Sequence, residues 1–202
     1  MRTSDVRMRG FKHRTAVDHV LALIRERVQV LPVESIPLAE AAGRILAEEV
    51  VSAVNVPAFD RSAMDGYALR SEETFGAGPY NPLTFKVVGE VTPGHRFERT
   101  VGAGEAVRIM TGAPIPAGAD AVLMAEEAEE ANGTMTAMGS VAPRKNVGRV
   151  GEDIQAGQTL LKPGRRLRPQ DLGVLASIGH GIVQVRRQPM VTLLITGNEL
   201  LR

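Results

Sequence analysis

Cysteine is absent from the 202 residues, which excludes disulfides, thiolate nucleophiles and cysteine-based metal sites. Tryptophan is absent too, and aromatic residues amount to only 3%, so the stacking platforms of single-strand nucleic-acid binders are missing. No apolar run approaches the ~20 residues that span a bilayer, and residues 1–30 carry no signal-peptide core. The expected compartment is therefore the cytosol, with no membrane partner. Net charge is +1, so no global field points to nucleic acid. Residues 1–14 alone are locally basic, and they read as a solvated tail. The four histidines (13, 19, 95 and 180) show no ligand spacing and are assigned to surface or structural positions, not to a metal.

What is present is the composition of an ordinary globular protein, 44% hydrophobic and 23% charged, long enough for one large domain or two small ones. Residues 15–31 place apolar side chains at 17, 20, 21, 24, 28 and 31, one face of a helix. Thr15 followed by Asp18 predicts a capping box at its start. In ESIPLAEAAGRILAEEVV, Pro37 excludes a long helix. A short strand, a helical turn ended by Gly43 and a strand over 44–51 are expected instead.

From about 53 to 147 the texture becomes short β-like runs cut by Gly, Pro and Asn. TFKVVGEV (84–91) alternates as a half-buried strand does, and GEAVRIM, DAVLMAE and TMTAMGS read as further strands of a small barrel or sandwich. Beyond 147, QTLLKPGRRL predicts a strand pair around Lys-Pro-Gly. RPQDLGVLASIG predicts a helix with Pro169 at its first position and Gly179 past its end, and GIVQVRR a strand. The expected fold class is α+β and multi-domain. A small α/β domain is built from both flanks (1–52 and 148–188), with a β-barrel-like domain (53–147) inserted between them. Residues 189–202, whose VTLLI strand runs into Thr-Gly-Asn-Glu, look like the start of a further α/β unit.

Three polar, turn-rich stretches stand out: PAFDRSAMDGYAL (57–69), IMTGAPIPAGADAV (109–122) and NVGRVGEDIQAG (146–157). Asp60 either caps a helical turn or faces a ligand, and Asp65-Gly66 either turns the chain or shapes a site. The TGAPIP loop, stiffened by two prolines, either sets chain shape or offers N–H groups and the Thr111 hydroxyl to an anion. Gly151-Glu152-Asp153 has the composition of a solvated turn.

Together with ITGNEL (195–200), and in this order, these stretches closely resemble the molybdopterin molybdenumtransferases, the MoeA-like proteins related to the gephyrin E domain. The resemblance runs from about residue 15 onward. It implies insertion of molybdenum from molybdate into adenylylated molybdopterin with release of AMP, assisted by Mg²⁺. It implies an elongated homodimer whose cleft lies between subunits, supplied by the adenylylating enzyme one step upstream. The family's functional acids fall on Asp60, Asp153 and Glu199, and its motif threonine on Thr111, beside Gly112. Ser62 and Asp65 lie in the same signature and are expected to shape the substrate-binding cleft.

Both substrates are anions, so carboxylates cannot anchor them directly. Carboxylates can hold Mg²⁺ against phosphates, a role expected for Glu199, or position water and exchange protons, the role expected for Asp60 and Asp153. Asn198 stands where the family usually has aspartate, which removes a charge from that position. Family members are about twice this long, so a truncated chain, inactive by itself, is expected. Helix 15–31 is then expected to belong with the missing domain. The alternative reading is a non-catalytic scaffold or dimerisation module of the same fold.

Overall fold

The computed structural model describes residues 15–193. Along the chain its elements are α1 (Val17–Arg27), β1 (Val33–Pro37), β2 (Val50–Val51), β3 (Arg61–Ser62), β4 (Gly66–Leu69) and β5 (Leu83–Val91). There follow β6 (Glu105–Ile109), β7 (Ala121–Met124), β8 (Ala128–Ala131), β9 (Thr134–Ala137) and β10 (Val147–Gly148). The last are β11 (Thr159–Leu161), α2 (Pro169–Ser177) and β12 (Ile182–Arg186). These group into two compact units: residues 15–48, 163–172 and 181–193 form one, and Glu49–Lys162 with Gly173–His180 the other.

In the first unit β1 and β12 pair antiparallel, from Val33 opposite Arg186 to Pro37 opposite Ile182. Ile36, Leu46, Leu167, Val183 and Val185 are buried around that ladder. The strand expected over 44–51 is realised only as bridges at Ile45 and Leu46, with β2 as a separate pair of residues. The strand pair expected in QTLLKPGRRL does not form: β11 pairs with β2, while Arg166 bridges Ile45. Pro163 has no N–H to give, and that of Gly164 goes to the Leu46 carbonyl, so the turn's two arms find different partners.

The helix expected over 15–31 forms at Val17–Arg27 only, with Ala16 at its N-cap and no side-chain capping bond, so the Thr15–Asp18 box is absent. β-branched Val28 and Val30, followed by Pro32, favour extended chain and end it early. No residue of α1 is buried; Val17 and Ile24 are 72% and 51% exposed. By contrast α2 begins at Pro169 and is followed by Gly179 at φ +82°, as its sequence predicts. The Asp171 carboxylate accepts the Arg168 N–H in the first turn and both Arg165 Nε and Nη2.

The second unit is organised by one six-stranded mixed sheet in the order β7-β4-β6-β5-β9-β8, in which only β5 and β6 run parallel. It is open in hydrogen bonding but cannot be flat. Its two edge strands, β7 and β8, are joined by Ala125–Glu127, whereas six flat strands would set the edges ~24 Å apart. The Tyr67 hydroxyl on β4 donates to Glu130 Oε2 on β8 at 2.8 Å, four strands away along the ladder. The expected barrel is thus a curled half-barrel. Tyr67, Leu69, Phe85, Ala106, Leu123 and Met135 pack in one cluster, and Ala68, Val91, Val107, Ile109 and Val122 in another, as alternate residues of a strand require.

Candidate functional site

The three polar stretches singled out in the sequence come together in the second unit. Segment 60–63 lies between the other two and is bonded to both through its backbone. On one side the Ser62 N–H reaches the Ala113 carbonyl at 2.9 Å, the Gly112 N–H reaches the Ser62 carbonyl at 2.8 Å, and the Ile115 N–H reaches the Asp60 carbonyl at 2.9 Å. On the other side β3 pairs with β10, and the Ala63 N–H reaches the Asn146 carbonyl at 2.9 Å. Further along, the Gly151 and Asp153 N–H groups reach the Pro57 and Val56 carbonyls at 2.9 and 3.0 Å. Segments some fifty and ninety residues apart in sequence thereby present their side chains around one short ladder.

Asp60 uses both carboxylate oxygens. Oδ1 accepts the Val150 N–H at 2.9 Å and Oδ2 accepts Arg144 Nη2 at 2.8 Å. The Val150 N–H first, joined by the Arg144 guanidinium, outweighs the opposing effect of burial and holds its pKa below the ordinary aspartate value. At neutral pH it is a fixed anion. With both oxygens engaged by Val150 and Arg144, Asp60 is held in one orientation beside the ladder.

Arg61, the next residue, bonds Glu152 Oε1 at 2.8 Å and Asp153 Oδ2 at 3.2 Å. Asp60 and Asp153 therefore border the same ladder, linked through Arg61, the neighbour of Asp60 and the first residue of β3. Glu152 also accepts the Arg149 N–H at 3.0 Å, and its pKa is lowered by Arg61 first and by that N–H second.

The remaining sequence candidates hold loops. The Ser62 hydroxyl is buried, donates to the Met64 carbonyl and accepts the Met64 N–H, closing a small turn. Asp65 Oδ1 accepts the Thr111 N–H at 2.7 Å and its hydroxyl at 2.8 Å, which ties the TGAPIP loop to the start of β4 and lowers the Asp65 pKa. Gly112 sits at φ +86°, a conformation open to glycine at little cost. Asp65 ends the bend that leads from β3 into β4, and Gly66 opens β4, flanked by β6 and β7. Glu199 and Asn198 lie outside the described residues.

Several residues at the site left little trace in the sequence. Arg61 and Arg144 neutralise the acids; the one signal is Arg-Lys-Asn at 144–146, where both Arg144 and Asn146 adopt positive φ. A second set, Tyr67, Arg108 and Glu130, converges at one end of the half-barrel, with Arg108 Nη2 2.6 Å from Glu130 Oε2. Burial, then Glu130, raises the Tyr67 pKa, while the Tyr67 hydroxyl first and Arg108 second lower that of Glu130. Asp65, Gly66, Tyr67, Arg108 and Met110 line an open cavity of about 220 Å³ there. A second cavity, about 330 Å³, is lined by Phe59, Asp60, Arg96, Phe97, Ile115 and Pro116.

Among the described residues no three His, Asp or Glu side chains converge to hold a metal ion. Asp60, Glu152 and Asp153 each carry an arginine, and Glu199, the residue expected to hold magnesium, lies outside the described residues. Also among the described residues, no helix is long and apolar enough to cross a membrane.

Comparison with known proteins places these residues in context. Residues 15–179 match the family model described as the MoeA N-terminal region, domains I and II. The chain is 40% identical over 179 residues to the molybdopterin molybdenumtransferase of Staphylococcus epidermidis, covering 89% of this chain and 42% of that protein. Against the Staphylococcus aureus enzyme of the same name it is 40% identical over 171 residues, 85% of this chain and 41% of that one. The crystal structure of a molybdopterin biosynthesis MoeA protein from Pyrococcus horikoshii superposes with a TM-score of 0.79 at 39% identity, covering 85% of this chain and 46% of that chain. The chain thus spans less than half the length of the curated relatives it matches.

Proposed function

The chain belongs to the MoeA N-terminal family, and we propose that it supplies the domain I and II portion of a molybdopterin molybdenumtransferase, inserting molybdenum from molybdate into adenylylated molybdopterin with release of AMP. The observation that carries this reading is the convergence of segments 57–69, 109–116 and 144–154 on the β3–β10 ladder. A chain that only needed stable turns has no reason to gather Asp60, Asp65, Glu152 and Asp153 there and set arginines among them.

In this reading the chain's residues do electrostatic and positioning work. Asp60 is a fixed anion, held in place by Arg144 and the Val150 N–H, and it is among the residues that line the second cavity. Arg61 orients Glu152 and Asp153, leaving Asp153 half-exposed and able to position water. Thr111 and Asp65 fix the loop opposite. No step is assigned to magnesium, since Glu199, the residue expected to hold it, lies outside the described residues. A homodimeric assembly, substrate handed on from an adenylylating enzyme and a cytoplasmic location belong to the same proposal.

Molybdate-dependent AMP release tests it, assayed on the chain alone and on the chain joined to the C-terminal half of a curated relative. The joined protein is expected to release AMP and the chain alone to release none. An inactive joined protein, correctly folded and beside an active parent, overturns the proposal and leaves the scaffold reading.

A further inference from the structure

The cavity beside Asp60 has a composition that the acids alone do not explain. Phe59 and Phe97 both line it, Pro114 and Pro116 stiffen its wall, and Arg96 stands at its rim. Only seven aromatic residues exist in the whole chain, and two of them meet here. At about 330 Å³ the cavity lies at the small end of the ~300–1,000 Å³ range of small-molecule sites.

The wall is built rather than loose. A Cβ on Gly89 would come within 2.7 Å of the Phe97 ring, so the ring rests directly on β5 where a side chain is missing. The segment that carries Arg96 and Phe97 is anchored by His95 N–H to the Thr92 carbonyl at 3.1 Å and by Val101 N–H to the Ala117 carbonyl at 2.8 Å.

Charge decides what class of ligand fits. The Asp60 carboxylate is already offset by Arg144 at 2.8 Å, and Arg149 also acts on it. Arg96 has no ion-pair partner among the described residues. The local balance at the cavity is therefore positive, with aromatic faces beside it. An apolar ligand would leave the guanidinium without use, and inorganic phosphate alone would leave the rings without use.

We propose that this cavity seats a flat heteroaromatic ring that carries a phosphate, the ring against Phe59 and Phe97 and the phosphate at Arg96. The inference rests on the proposed function for its choice of rings: adenylylated molybdopterin contains two such groups, the pterin and the adenylate. Arg96 and Phe97 then act as substrate-positioning residues, holding the reacting phosphate near Asp60 without taking part in bond making.

Isothermal titration calorimetry of the chain with a pterin monophosphate, with AMP and with inorganic phosphate tests this. At least one of the first two is expected to bind at least roughly tenfold tighter than inorganic phosphate, given what aromatic stacking contributes. Whichever binds tighter identifies the group seated there. Arg96→Ala should weaken that ligand about tenfold and flatten its salt dependence, and Phe97→Leu should weaken it about tenfold with the salt dependence kept. Arg96 is exposed, so its variant reports even if Phe97→Leu disturbs packing.

Absence of binding by both ring phosphates at about 1 mM, or a dissociation constant unmoved by either folded variant, overturns the inference. Because binding is read without turnover, the two proposals fail separately. Ring-phosphate binding in a joined protein that releases no AMP counts against the function alone, and AMP release without ring-phosphate binding counts against this cavity alone.

Discussion

Gly66 sits where a methyl group cannot go. An ideal Cβ there would lie 2.0 Å from the Leu123 carbonyl oxygen, 3.0 Å from its carbon and 3.1 Å from the Ala125 nitrogen. All three are backbone atoms, so no side chain can rotate away. Gly66→Ala must push β4 from β7 by roughly 1.4 Å to reach ordinary contact. That strains the ladder on both flanks, since Gly66 opposes Met124 on one side and Ile109 on the other. Overpacking at about 1–3 kcal/mol, plus weakened ladder bonds at about 1 kcal/mol each, gives a loss of about 3–5 kcal/mol. A typical domain has only about 5–15 kcal/mol in total. Urea unfolding followed by far-ultraviolet circular dichroism measures the loss. Gly78→Ala is the control: its Cβ would meet nothing within 4 Å, so it should stay within about 0.5 kcal/mol of the parent. If the Gly66 variant unfolds at the same urea concentration as the Gly78 variant, the close approach of β4 to β7 is wrong.

Asp171→Asn should destabilise the chain by about 2 kcal/mol at neutral pH, because it removes the anion that two arginines and the Arg168 N–H share. The Asp171 pKa is held far below the ordinary value, by Arg165 first, so this stability is present in full above pH ~4 and is lost in strong acid; a difference from the variant that persists undiminished into strong acid would contradict the assignment. Asp60→Asn in the joined protein should lower AMP release by about 100-fold or more with little change in unfolding midpoint. Since the Asp60 pKa is lowered, its ionisation should set no acid limb above pH ~4, and a limb near pH 6 that vanishes in the variant would refute the fixed-anion role. With Tyr80→Phe leaving one phenol, ultraviolet titration should place Tyr67 above the ordinary pKa of ~10, and Glu130→Gln should bring it back down.

What the sequence made legible at the site was grouping, not pairing. Polar, turn-rich texture marked all three stretches that meet at β3, because backbone that must bend tightly and expose donors needs Gly, Pro, Asp and Asn. The partners of the acids were not legible. Arg144 reaches Asp60 across 84 residues, and an ion pair that distant leaves no periodicity to read. The fold divided similarly. TFKVVGEV announced β5 by alternation, and Pro169 with Gly179 announced α2. AEEA at 128–131 gave no strand signal, since acids are depleted in strands, yet it completes the sheet through a hairpin whose Asn132 and Gly133 both take positive φ. The Thr15–Asp18 box had the right letters, but the N-cap fell one residue later, on Ala16, and the box did not form.

The parallel pairing of β5 with β6 carries a consequence of its own. A neighbour running the same way cannot be reached by a tight hairpin, so residues 92–104 must travel back along the sheet before β6 starts. The fold thus owes itself a long excursion there whatever its sequence, and Arg96 and Phe97 ride on it. Evolution can rewrite that excursion to suit a different occupant of the neighbouring hollow while every rung of the ladder stays as it is.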